Sequence, residues 1–212
     1  TDINCHWLCP GDEIFPAMLA AIEEAKSEVC LETYTFSAGS PGERFRDALI
    51  RARQRGLRVR VLIDALGSYG LPADFFQALA DVGAEIRRFN PFEVTLFKPV
   101  ALNRMSIRNH RKLLVCDDRV AFIGGFNIAP EYEGDGVKWG WCDVGLKITG
   151  PLAKQLASSF DEMFARAAFR HKRFMRFRRF DAIKFVTWPA EQILFSGPGR
   201  GQRSLKRALR GD

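Results

Sequence analysis

Hydrophobic residues follow two alternating spacings along the chain, one typical of helices and the other of strands. Helical patterns and helix start signals cover 11–26, 40–55, 72–82 and 151–168. Short apolar runs predict strands over 29–36, 57–65, 84–89, 107–116, 120–126 and 141–148. Because helices and strands alternate through the first half, the sequence predicts an α/β fold with a mixed, largely parallel β-sheet that is flanked by helices on both faces.

Two local motifs sharpen these boundaries. Ser40, Pro41 and Glu43 have the order of a capping box with a proline in the first turn, which predicts a helix beginning at Ser40. Asp117 and Asp118 lie between two apolar strand patterns, which indicates a β-hairpin over 107–126.

The end of the chain resembles its beginning. A short apolar run at 193–195 is followed by a turn rich in Gly and Pro at 196–199 and a helical pattern over 202–209. A similar turn around Pro10 precedes the first helix. This order predicts one domain over 1–195 and, over 196–212, the start of a second, truncated copy of the same unit.

Positive charge is concentrated near the C-terminus. The formal net charge is +7, and the stretch 166–179 contains seven Lys or Arg residues and no acidic residue. Because Phe residues are interleaved, the segment 166–180 is predicted to lie on a membrane surface, with cations on lipid phosphates. The residues predicted for this contact are Arg170, Lys172, Arg173, Phe174, Arg176 and Phe177. The alternative is a solvated basic helix end whose Phe residues pack on the core.

Apolar runs and cysteines bear on the cellular setting. No apolar run approaches the roughly 18 residues that a membrane span needs, so we expect a soluble or peripheral chain. Five irregularly spaced cysteines argue against a disulfide framework and favour a reducing, cytoplasmic setting. Cys5, His6 and Cys9 do not have the spacing of a zinc pair, and no metal site is predicted.

The candidate chemistry lies between residues 109 and 127. His110 and Lys112 alternate within an apolar strand pattern, so their side chains are predicted on one face, about 7 Å apart along the strand. Two such groups are costly on a buried strand unless they line a site. Lys112 and a hydrogen bond from Asn127 can stabilise the charge of a phosphodiester, and imidazole can attack phosphorus or act as a base. Gly124 and Gly125 indicate a bulge or a close backbone approach.

These residues resemble the HKD signature of the phospholipase D superfamily. The matching positions are His110, Lys112, Asp117, Gly124, Gly125 and Asn127. The flanks at 31–36, 63–68 and 141–143 resemble those of bacterial cardiolipin synthases, in particular their N-terminal half. The resemblance extends over 14–196.

The resemblance implies a role for each matched residue. His110 would be the nucleophile that forms a phosphohistidine, or the acid that protonates the leaving alkoxide. Lys112 and Asp117 would complete the catalytic motif, with Asp117 mainly orienting it. Lys112, Asn127 and Gly125 would bind the phosphate. Two further acidic residues, Glu32 and Asp143, are interpreted as structural, although both could lie near the site.

The family resemblance also implies a second half of the site, because two such motifs face each other in the family and this sequence has one. We expect it from the same chain or from an identical partner chain. The implied function is phosphatidyl transfer of the cardiolipin synthase type, on an anionic, phosphatidylglycerol-type lipid at the cytoplasmic side of the membrane, without a cofactor. A hydrolase, a single-motif dimeric nuclease and an inactive lipid-binding half are the alternatives. The Phe-rich segment and the flanks favour lipid over nucleic acid.

Overall fold

Seven strands and four helices form the part of the chain described by the computed structural model, residues 4–91 and 108–167. The strands are β1 (Asn4–Leu8), β2 (Glu28–Thr33), β3 (Arg58–Asp64), β4 (Glu85–Phe89), β5 (Leu113–Cys116), β6 (Val120–Gly124) and β7 (Gly145–Thr149). The helices are α1 (Gly11–Glu24), α2 (Ser40–Gln54), α3 (Gln77–Asp81) and α4 (Pro151–Ala167), with a 3-10 turn at Pro130–Tyr132. The predicted domain boundary at 195/196 lies outside the described residues.

All seven strands belong to one sheet, in the order β1-β7-β6-β5-β2-β3-β4. Parallel pairs join β2 to β3 and β3 to β4, and the other four pairs are antiparallel. The predicted α/β class and mixed sheet are therefore confirmed, but parallel pairing is confined to one half of the sheet. The parallel share is smaller than predicted because β5 is antiparallel to β2, and the pairs of β5 with β6, β6 with β7 and β7 with β1 are also antiparallel.

Helices cover both faces of the sheet, and successive side chains of β3 contact them on opposite sides. Val59, Val61 and Ile63 are buried in the same core cluster as the apolar faces of α1 and α2. Arg60 points to the opposite face, where it pairs with Asp161 of α4 at 2.7 Å. The predicted helical covering of both faces is therefore confirmed, and it protects the central strands from water.

Several boundaries differ from the sequence predictions for identifiable reasons. The edge strand β1 was not predicted, because four of its five residues are exposed and it lacks an apolar face. Helix α2 begins at Ser40 as predicted, but its N-cap is Gly39 and no side chain caps it, so the capping box is wrong. The predicted strand 107–116 is shorter in the structure, because its described residues 108–112 lie outside the sheet and β5 begins at Leu113.

Candidate functional site

The segment 108–112 crosses the ends of β2 and β3, where two fully buried carboxylates anchor it. The backbone N–H of Asn109 donates to Asp64 Oδ2 at 2.9 Å, and its side-chain amide donates to Glu32 Oε1 at 2.6 Å. Arg111 pairs with the second oxygen of Glu32 at 3.2 Å. His110 lies between these two anchored residues, so its backbone position is set from both sides.

The buried charges of this anchor are compensated locally. Asp64 Oδ1 accepts hydrogen bonds from the backbone N–H groups of Leu66 and Gly67, at 2.8 and 3.2 Å. Burial raises the pKa of Glu32, while the charge of Arg111 and the hydrogen bond from Asn109 work in the opposite direction. Glu32 was interpreted from the sequence as structural. Its contacts make it an anchor of the segment that carries His110.

His110 and Lys112 meet directly. The ammonium Nζ of Lys112 lies 2.9 Å from Nδ1 of His110 and donates to the His110 carbonyl oxygen at 3.0 Å. The imidazole is exposed and lies against the ring of Tyr34, with 4.4 Å between the ring centroids. The two side chains are therefore closer than alternation along a strand predicts, because the lysine folds back over the extended segment.

Burial and this contact both favour the neutral form of the imidazole. Burial and the charge of Lys112 lower the pKa of His110, and Asp64 opposes them. Burial also lowers the pKa of Lys112 to about 8, against the opposing charge of Asp143. The two shifts favour a neutral imidazole beside a lysine that is still mostly protonated at pH 7, a combination suited to a nucleophile next to a cation.

The charge coupling predicts a measurable change in titration. In a Lys112→Met variant, which lacks the ammonium group, we expect the pKa of His110 to rise, because the neighbouring positive charge no longer disfavours the imidazolium. NMR titration of the His110 ring protons measures this directly. The matched control is Lys154→Met on the exposed side of α4. Equal His110 titration in wild type and Lys112→Met would contradict the contact.

Asn127 and Gly125 lie at the end of β6, where the sequence predicted phosphate ligands. Asn127 is buried; its Oδ1 accepts from the backbone N–H of Thr35 at 3.0 Å, and its amide donates to the Tyr132 hydroxyl at 2.9 Å. The contact with Tyr132 uses one of the two hydrogens of the Asn127 amide. A Cβ added at Gly125 would overlap the carboxylate of Asp143, so glycine there permits a close approach.

Asp143 is the site residue whose position the sequence did not predict. It lies in the loop before β7, against Gly125, and its charge acts on Lys112. The paired glycines in the returning strand were a signal that another group approaches there. They did not identify the group, because Asp143 is distant in sequence.

Asp117 lies at the opposite end of β5 from Lys112. The four residues of β5 lie between them, and five steps of about 3.3 Å place the two about 16 Å apart. Its carboxylate accepts four hydrogen bonds, from the backbone N–H groups of Lys26, Ser27 and Glu28 and from the Ser27 hydroxyl, at 2.7–3.0 Å. Asp117 and Asp118 both have positive φ, 57° and 56°, as the central residues of a type I′ turn do. These contacts favour the orienting role for Asp117 over direct contact with substrate.

An Asp117→Ala variant should lose about 1–2 kcal/mol of folding free energy, because the carboxylate binds three backbone N–H groups of the α1–β2 connection. Partial burial would raise the pKa of Asp117, but these hydrogen bonds hold it below its usual value. Its stabilising contribution is therefore full above the unfolded-state pKa and is lost as the pH falls through the lower folded-state pKa.

Urea unfolding at pH 7 and at successively lower pH values measures this difference. The control is Asp118→Ala, at the neighbouring exposed turn position that also has positive φ. If the difference in free energy of unfolding between wild type and Asp117→Ala stayed the same at low pH, the proposed role of the ionised carboxylate would be contradicted.

The predicted membrane-surface residues, Arg170, Lys172, Arg173, Phe174, Arg176 and Phe177, lie outside the described residues. Within 4–91 and 108–167, no helix has the length and apolar character needed to cross a bilayer.

Comparison with known proteins gives the family of the chain. Residues 18–165 match the family model described as cardiolipin synthase, PLD-like domain. Cardiolipin synthase 1 of Bacillus cereus is 34% identical over 209 residues, which cover 95% of this chain and 40% of that protein. The major cardiolipin synthase ClsA of Bacillus subtilis is 34% identical over 171 residues, 80% of this chain and 35% of that protein. The chain thus spans about two fifths or less of these relatives' length.

Solved structures show the same fold. Nuc, a phospholipase D family member from Salmonella typhimurium, is similar with a TM-score of 0.57 and 21% identity, over 80% of this chain and 100% of that chain. NucT from Helicobacter pylori is similar with a TM-score of 0.58 and 14% identity, over 78% of this chain and 98% of that one.

Proposed function

The chain belongs to the phospholipase D superfamily, among the phospholipase D-like domains of cardiolipin synthases, and we propose that it supplies one catalytic half of a phosphatidyltransferase. The observation that carries this proposal is the contact of 2.9 Å between the Lys112 ammonium and the His110 imidazole. The ring is exposed, while its backbone is anchored by buried carboxylates. Such a group is accessible to a large substrate and is already oriented for attack.

In the proposed reaction, Lys112 and the second amide hydrogen of Asn127 bind nonbridging oxygens of the phosphodiester. An imidazole nitrogen of His110 forms a bond to phosphorus, and the bond from phosphorus to the leaving alcohol breaks. An imidazole from the second half donates a proton to the leaving alkoxide. That imidazole then takes a proton from the acceptor alcohol, which attacks phosphorus and releases His110.

The second imidazole comes either from a second HKD motif in the same polypeptide or from an identical partner chain. The first source is favoured by the curated relatives, of which this chain covers 40% or less. In the other arrangement two copies of His110 would face each other. The names of the relatives support a phospholipid substrate, for which we propose a phosphatidylglycerol-type lipid. The basic segment 166–180 would hold the domain on the cytoplasmic surface of the membrane.

Lipid product analysis tests the proposal. The chain, combined with the half that supplies the second imidazole, is incubated with phosphatidylglycerol vesicles, and lipids and protein are analysed by mass spectrometry. We expect cardiolipin, together with a phosphatidyl adduct on the peptide that contains His110. Phosphatidic acid instead of cardiolipin would make the chain a hydrolase. A folded assembly of both halves that gives neither a lipid product nor an adduct, or that cleaves a DNA substrate instead, would overturn the proposal.

A further inference from the structure

Two cysteine thiols from distant parts of the chain meet beside the candidate site. Cys9 lies between β1 and α1, and Cys142 lies in the loop before β7. Their Sγ atoms are 3.6 Å apart, and both residues are exposed. A disulfide bond is about 2.05 Å long, so a closing movement of roughly 1.5 Å would join them.

Backbone contacts hold the two segments together, so this proximity does not depend on side-chain rotamers alone. The N–H of Asp12 donates to the carbonyl of Gly134 at 3.1 Å, and the N–H of Gly134 donates to the carboxylate of Asp12 at 2.9 Å. A Cβ at Gly11 would overlap the carbonyl oxygen of Tyr132. The start of α1 and the loop after the 3-10 turn are therefore packed with their main chains in contact.

Gly136 lies where the segments that carry Cys9 and Cys142 meet. Gly136 has a φ of 66°, and a Cβ there would lie 3.2 Å from the Cβ of Cys142 and 3.4 Å from the Cβ of Pro10. Gly136 thus packs between the residue that follows Cys9 and Cys142 itself. The absence of a side chain at this position lets the two segments approach.

We propose that Cys9 and Cys142 form a reversible disulfide, a redox modification site next to the candidate active site. The other cysteines do not offer this arrangement, because Cys30 and Cys116 are buried and Cys5 lies on the edge strand β1. In a reducing compartment, exposed thiol pairs of this kind act as transient redox-sensing groups and not as permanent staples. The proposal is independent of the reaction catalysed.

The chemistry needs a low-molecular-weight disulfide as oxidant. One cysteine thiolate attacks this disulfide, forming a mixed disulfide and releasing one small thiolate. The second cysteine thiolate then attacks the protein sulfur, which closes the Cys9–Cys142 bond and releases the other small thiolate. Two protein thiols thus lose two electrons and two protons, and the oxidant becomes two small thiols.

The surroundings predict how oxidation depends on pH. The hydrogen bond with Cys142 is the main factor that raises the pKa of Cys9, and the nearby carboxylates of Glu13 and Asp143 also raise it. Because the thiolate is the attacking species, bond formation should become faster as the pH rises.

Peptide mapping in a defined glutathione redox buffer tests the proposal on the full chain. We expect an intramolecular peptide pair containing Cys9 and Cys142 to appear under oxidising conditions and to disappear with reductant. Cys9→Ser and Cys142→Ser should each abolish the pair and leave the remaining thiol as a glutathione adduct. Cys5→Ser is the matched control and should leave the pair unchanged.

Three results would overturn the inference. One is glutathione addition to both Cys9 and Cys142 in wild type without a bond between them. Another is preferential pairing of either residue with Cys5, which would show that the segments do not hold the observed geometry. The third is a Cys9–Cys142 bond that forms only between two chains.

Discussion

We expect a His110→Ala variant to lose phosphatidyl transfer by a factor of about 10⁴ or more, because the proposed nucleophile is removed while the rest of the site remains. The loss should appear in kcat, and the phosphatidyl adduct should disappear from the peptide that carries residue 110. Folding should change little, since the imidazole is exposed and its removal opens no cavity in the core. Steady-state transfer assays with phosphatidylglycerol vesicles, together with thermal unfolding, measure both quantities.

The matched control is His6→Ala. His6 also has an exposed side chain, but it lies on the edge strand β1, opposite Lys147 of β7. We expect this variant to retain wild-type transfer. Activity that survives in His110→Ala would refute the proposed mechanism, and an equal loss in both histidine variants would show that the effect is not specific to the candidate site.

A sequence pattern was sufficient to single out His110 and Lys112 as candidates, because the two residue types and their spacing are local. It was not sufficient to predict their geometry. The extended residues 108–112 look like part of a strand, since apolar residues follow at once. In the structure the side chain of Asn109 instead turns to a buried carboxylate on β2, which is 77 residues away along the chain. That contact takes the segment out of the sheet.

Sequence patterns also failed to predict the contacts around Gly125, on the other side of the site. Gly125 indicated a close approach, but the approaching Asp143 could not be identified without the pairing of β6 with β7. Likewise, Cys9 and Cys142 are separated by 133 positions, and neither has a local pattern that points to the other. Periodicity predicts elements and some of their faces, whereas contacts between loops depend on how the completed sheet arranges its edges.

The buried carboxylate of Glu32 should have the largest effect on stability. We expect Glu32→Ala to lower the free energy of unfolding by about 3–5 kcal/mol, because it removes the buried member of an ion pair with the half-buried Arg111. The carboxylate is fully buried, and its loss takes the acceptor from Asn109 and the opposite charge from Arg111. Urea unfolding monitored by circular dichroism measures the change.

The Glu32→Gln variant tests whether Glu32 positions the segment 108–112 in addition to stabilising the fold. Its amide oxygen can still accept from Asn109, but the charge that pairs with Arg111 is absent. We therefore expect stability between those of wild type and Glu32→Ala. In transfer assays kcat should fall while KM changes little, because Glu32 positions His110 through Asn109 and Arg111 and does not itself contact the lipid.

Glu85→Gln is the surface control for this pair of variants. Glu85 is exposed on the edge strand β4, where it pairs with Arg58 at 3.1 Å and with Arg87 at 3.7 Å. Its substitution should cost less than about 1 kcal/mol. Comparable losses of unfolding free energy in Glu85→Gln and Glu32→Ala would contradict the anchoring role of Glu32. A Glu32→Gln variant with reduced stability but unchanged kcat would show that Glu32 supports the fold and does not position His110. A lower kcat at a temperature where the variant remains folded would connect this buried charge to the orientation of the exposed imidazole.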